Sequence, residues 1–150
     1  MKVFLDIDGV MVHANPHEKV ELEEDGFYKF AYKAISAINS IDNAEFILST
    51  SHRHRFTINI WEQMFEKRGI HFTSISRIET ENSYKISRRE EIEKWVEIKN
   101  YDVNDIIIID DDKSLNGLSK YLKDRLVLTS PYVGLDDDNE IKKILTNRVY

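Results

Sequence analysis

Ile106-Ile107-Ile108-Ile109-Asp110-Asp111-Asp112 decides the fold. Four consecutive β-branched apolar residues leave no polar face, so the strand they form must be covered on both sides, as a central strand of a parallel sheet is. The run then stops at three carboxylates. Working outward, four further apolar runs read as strands: Lys2 to Leu5, Glu45 to Ser49, Ile70 to Ile75 and Leu126 to Thr129. Helix-period stretches separate them. Phe27, Phe30, Ala31, Ala34, Ile35 and Ile38 recur at three- and four-residue spacing, as do Ile60, Trp61, Met64 and Phe65 ahead of a Gly69 cap. A third helix is expected from Ser87, with Glu90 placed to complete a capping box and Ile92, Trp95 and Val96 on one face. Leu115, Leu118, Tyr121 and Leu122 predict a fourth, and Ile141, Ile144 and Leu145 a fifth beginning near Asp137. Regular β–α alternation of this kind implies an α/β chain, a parallel five-stranded sheet with helices on both faces.

At 150 residues the chain suits one domain, residues 1–150, able to hide roughly 70% of its extended surface on folding. No internal repeat or Pro/Gly linker divides it. The long irregular stretch is Val10 to Gly26. With 41% hydrophobic and 32% charged residues, disorder and a membrane span are both excluded as readings of the composition. The absence of cysteine removes disulfides, thiolate zinc sites and cysteine nucleophiles together. Met1-Lys2 leads straight into Val3-Phe4-Leu5 without a signal-length apolar stretch, so a cytoplasmic location is expected. A net charge of −6 argues against a generally basic, nucleic-acid-coating surface.

In an open α/β sheet the ligand crevice lies beyond the carboxyl ends of the strands, where strand order reverses. Three strands end there in polar clusters: Asp6-Ile7-Asp8-Gly9, Ser49-Thr50-Ser51 and Asp110-Asp111-Asp112. If the strands are neighbours, the clusters converge. Carboxylates within about 4 Å repel by roughly 4 kcal/mol per pair at an effective dielectric near 20, so such a cluster calls for a cation. An all-oxygen ligand set favours Mg²⁺, which takes one or two carboxylates and a phosphate oxygen.

Asp6 is then a metal ligand placed for nucleophilic attack on phosphorus. Asp8, two residues on, can bind the metal through its backbone carbonyl while its side chain serves as general acid and then base. That task requires a raised pKa, which like-charged neighbours would supply. Thr50 offers a hydroxyl and an N–H at a strand-to-helix turn, suited to a phosphate oxygen. A cation from a later helix should balance the charge: Lys85, with Arg88 and Arg89 as rivals. Ser51-His52-Arg53-His54-Arg55 is the most basic segment. Ser51, Arg53 and Arg88 are therefore candidates for gripping a substrate phosphate or a nucleic-acid backbone. His13 and His17 are expected to be surface residues.

Phe4-Leu5-Asp6-Ile7-Asp8-Gly9-Val10 resembles the first motif of the haloacid dehalogenase-like (HAD) phosphohydrolases, Leu48 to Ser51 the second, and Ile107 to Asp111 the fourth. The chain is also similar to the small HAD domains of bacterial RNA-repair (Swiss Army Knife) proteins, through Ser49 to Arg53, Glu91 to Trp95, Ile108 to Asp112 and Gly134-Leu135. The resemblance implies a Rossmann-like fold and a Mg²⁺-dependent phosphomonoesterase. It makes Asp6 the nucleophile and a metal ligand, Asp8 the acid/base, Thr50 the phosphate binder, and Asp111 with Asp110 the late metal carboxylates. No Lys-Pro follows the third strand, so Lys85 rests on its distance before Asp110, and alignment through Glu91-Ile92 favours Arg88.

Larger members insert a cap domain after the first motif or after the third strand. Here Val10 to Gly26 and Ser76 to Tyr84 are too short for one, and Val10 to Gly26 is expected to act as a flap. An open site suits a phosphate on a large substrate, such as a nucleic-acid end or a phosphoprotein. The alternatives are a nucleotidase-like small-molecule phosphatase, a receiver-like domain, which needs an aspartate closing its third strand, and a non-catalytic phosphate-binding fold.

Overall fold

β1 (Lys2–Leu5) lies between β2 (Glu45–Leu48) and β4 (Ile106–Asp110), with β3 (Ser74–Arg77) outside β2 and β5 (Leu126–Leu128) outside β4. All pairings are parallel, and Leu5 is in register with Leu48 on one side and Ile109 on the other. The computed structural model describes residues 1–79 and 86–147. Its strand order, β3-β2-β1-β4-β5, is the Rossmann-like arrangement, with the reversal between β1 and β4.

Two apolar layers cover the sheet, and period-two alternation sends successive strand residues to opposite ones. Val3, Leu5, Ile107 and Ile109 pack with α1 (Tyr32–Ile38), α2 (Ile58–Lys67) and α5 (Asn139–Thr146). Phe4, Ile47, Ile106 and Ile108 pack with Ile92 of α3 (Arg88–Lys99) and Leu122 of α4 (Lys120–Lys123). Ile106 to Ile109 are all fully buried, as a strand apolar on both faces requires. Two polar caps fix helix starts: Thr57 Oγ1 accepts from the Ile60 N–H at 3.3 Å, and Ser87 Oγ from the Glu90 N–H at 3.2 Å.

Three elements differ from expectation. The third strand runs from Ser74 to Arg77 because Ile70 lies in the turn that closes α2, donating its N–H to Phe65 O at 3.0 Å. The first helix begins at Tyr32. Ala31 is extended, and Phe27 and Phe30 share helical spacing only because both enter one aromatic cluster with Trp61 and Phe65. The fourth helical stretch divides into a 3₁₀ turn, Lys113–Gly117, and the short α4.

The Val10 to Gly26 loop is strapped down. The Leu135 N–H donates to Val10 O at 2.8 Å, and the Ala14 N–H to Pro131 O at 2.7 Å. Its far end is held by Arg68, whose buried guanidinium meets both Asp25 oxygens at 2.7 and 3.0 Å and the Tyr28 carbonyl at 2.8 Å. Among the described residues no folded cap is evident. Among the described residues, no helix is long and apolar enough to cross a membrane.

Candidate active site

Alternation along β1, β2 and β4 puts Asp6, Ser49 and Asp110 on the sheet face that also carries Phe4, Ile47 and Ile108, the face covered by α3. Adjacent register then brings the three strand ends side by side, and the Asp6 N–H donates to Ile109 O at 3.1 Å. Oxygens of Asp6, Asp110 and Asp111 lie within 4.8 Å of one another. Asp6 is 5% exposed and Asp110 not at all. Gly9 makes the packing possible: its φ is +78°, and a Cβ there would come within 2.0 Å of Asp111 Oδ2.

Burial pushes the Asp6 carboxyl well above the usual carboxylate range, and the Asp110 charge adds to it; Arg88 opposes both. Asp110 is likewise raised by burial and restrained by Arg88. The first residue of α3 supplies that cation. Arg88 Nη1 lies 2.7 Å from Asp110 Oδ2 and 3.5 Å from Asp6 Oδ1. Its own pKa is driven further up by the two carboxylates, against the cost of burial. Arg89 turns instead toward Glu93 at 3.5 Å, and Lys85 lies outside the described residues.

Among the described residues, with all three carboxylates ionised, one guanidinium leaves two negative charges uncompensated. Three close carboxylates with no nitrogen or sulfur donor form a set suited to Mg²⁺, so the residues fit the cation that the composition of the cluster suggested.

Asp8 stands apart from this group. Among the described residues its carboxylate does not join the three-carboxylate group; its neighbour is His52, with Nε2 2.8 Å from Asp8 Oδ2. Thr50 is fully buried, its Oγ1 accepting from the His52 N–H at 3.2 Å. Ser51 is exposed and lines a cleft of about 360 Å³ with Arg88 and Asp112. Arg53, expected to grip substrate, is committed inward. It is 2% exposed, donates to the carbonyls of Ile78, Ser49 and Thr50, and pairs with Glu91, so it braces the turn that follows β2. His13 faces Glu18 at 3.8 Å, His17 is exposed, and neither belongs to the acidic group.

Sequence reasoning missed the His52 contact and the Ser49 hydroxyl, which is buried without a hydrogen-bond partner one strand over from Asp6. The signal for Ser49 was its parity with Ile47, which puts it on the Asp6 face. Nothing in the spacing of Asp8 and His52 announces their meeting.

The family model described as the HAD domain in Swiss Army Knife RNA repair proteins matches residues 2–139. The chain belongs to that family. It is therefore a HAD-type phosphohydrolase domain in general class. The segments that resemble the first, second and fourth HAD motifs are the ends of the adjacent strands β1, β2 and β4. No curated protein and no solved structure matches the chain. The sheet order also sets this HAD domain apart from a receiver, whose order is 2-1-3-4-5 and whose third strand would end in aspartate; β3 here ends in Ser76-Arg77.

Proposed function

We propose that this HAD domain is a Mg²⁺-dependent phosphomonoesterase working through an aspartyl-phosphate on Asp6, with polynucleotide ends as its substrate class. The observation that carries the reading is the convergence of Asp6, Asp110 and Asp111 within 4.8 Å at the point where strand order reverses. Asp6, Asp110 and Asp111 would hold the cation, together with the Asp8 backbone carbonyl. When bound, it supplies positive charge for the phosphate oxygens and for the carboxylates themselves.

Asp6 attacks phosphorus. The bond to the leaving oxygen breaks, its electron pair stays with that oxygen, and the Asp8 carboxyl protonates it to the free alcohol. Water then attacks the phosphoryl group and gives a proton back to Asp8. The bond to Asp6 breaks, releasing inorganic phosphate and restoring the Asp6 carboxylate and the protonated Asp8 carboxyl. Arg88 and the Thr50 turn stabilise charge on the non-bridging oxygens, and Ser51 contacts the substrate from the cleft rim.

Two observations support a large substrate. The described residues carry no cap over the cleft, and the family description names RNA repair. The test is hydrolysis of a generic phosphate ester with Mg²⁺, followed by 3′- and 5′-phosphorylated oligonucleotides against free nucleotides. Activity is expected to vanish in Asp6→Asn and on chelation, with oligonucleotide ends preferred. Unchanged turnover in Asp6→Asn contradicts the mechanism. A preference for free nucleotides favours the nucleotidase alternative.

A further inference from the structure

We infer that His52 is a positioning residue for the acid/base step, holding Asp8 so that one carboxylate oxygen alone handles the leaving-group proton. The role rests on the hydrolase reading above and assigns a function to a contact that reading does not use.

His52 Nε2 lies 2.8 Å from Asp8 Oδ2. With its proton on Nε2 the imidazole donates to Oδ2 whether or not the other carboxyl oxygen carries a proton, so Oδ2 is engaged as an acceptor. Oδ1 is left as the oxygen that carries and returns the proton. The imidazole is itself held: the edges of Phe27 and Tyr28 meet it at centroid distances of 5.7 Å each, and its backbone N–H is tied to Thr50 Oγ1. The turn that presents Thr50 thus also delivers the ring that aims Asp8. Phosphate binding and proton delivery are set by one short segment.

Stability does not explain the pair. The Asp8 side chain is 43% exposed, and an ion pair open to water contributes only about 0–1 kcal/mol. Orientation of a carboxylate that must meet a leaving oxygen is what such a contact supplies.

The experiment compares two esters. p-Nitrophenolate leaves as a stable anion and needs little protonation, whereas the alkoxide of an alkyl phosphate leaves only with a proton. His52→Ala is expected to lower kcat/KM, which reports phosphoenzyme formation and not its later hydrolysis, by about tenfold or more on the alkyl ester, and to leave that of the aryl ester little changed. His52→Gln, which restores a donor where Nε2 stood, should recover most of the loss. In an Asp8→Asn background, His52→Ala should add nothing on the alkyl ester. Equal losses of kcat/KM on both esters, or no rescue by glutamine in a protein whose circular dichroism is native, overturn the role and leave the hydrolase standing. Wild-type protein that cleaves neither ester overturns the hydrolase reading and the role of His52 with it.

Discussion

Arg68 and Arg88 are both inward-turned guanidiniums facing aspartates, yet their surroundings are opposite in charge balance. Arg68 meets one carboxylate, Asp25, in a two-point pair, and spends its remaining donors on the Tyr28 and Met64 carbonyls. Asp25 is held down at about 2, chiefly by its hydrogen bond to Arg68. Arg88 meets two carboxylates with a third close by, and Asp6 and Asp110 are both pushed up. A balanced pair closes a structure; here it pins the loop of residues 10–26 to the end of α2. An unbalanced cluster holds unspent charge, and a divalent cation or a transferring phosphoryl group can use it.

The largest expected effect falls on the unbalanced side. Asp110→Asn should lower phosphatase turnover by about a hundredfold or more and weaken Mg²⁺ binding, while the metal-free fold becomes no less stable because a buried repulsion has gone. Thermal unfolding beside a kinetic assay checks both halves. Asp25→Ala should do the reverse. It leaves the Arg68 charge without its partner and should cost about 2 kcal/mol, a value kept low because Asp25 retains contact with water, with kcat intact in the folded fraction.

Opposite pKa directions predict opposite pH limbs in the metal-free protein. Asp25 is depressed in the fold, so its stabilisation is present above its ordinary pKa and is lost as pH falls toward about 2. Asp6 and Asp110 are raised, so they cost the fold nothing below their ordinary pKa and progressively more as pH rises through their folded values. Tm measured against pH should therefore fall on both sides. Asp25→Asn should flatten the acid limb, and Asp6→Asn or added Mg²⁺ the other.

The smallest effect separates two glycines. Gly26 has φ +83° and open space where a Cβ would stand, so Gly26→Ala should cost only backbone strain, about 1 kcal/mol. Gly9→Ala adds to the same strain a clash with Asp111 and should cost activity as well. Equal losses of stability with unchanged turnover in both variants would erase the distinction between the two regions.

The chemical side of this contrast was legible from sequence and the structural side was not. Asp6, Asp110 and Asp111 sit at abrupt ends of apolar runs, and parallel register carries those ends to one place without further information. Arg88 reads from sequence as a rival to Lys85 and as a phosphate-gripping candidate, not as the partner of Asp6 and Asp110, because a cation's reach from a helix start is not written in its spacing. Asp25 with Arg68, and Asp8 with His52, are joined across the fold with no periodicity to mark them. The third strand was misplaced for a related reason: Ile70 is apolar because it closes α2, while β3 itself offers a single buried residue, Ile75.

The central claim is that the surplus of charge at β1 and β4 serves a covalent step on Asp6. Rapid acid quench during turnover of a phosphate ester, followed by peptide mapping, tests it most directly. A phosphoryl group on the peptide that carries Asp6, absent from Asp6→Asn, is the result expected; a phosphoryl group on another residue, or full turnover in Asp6→Asn, contradicts the account.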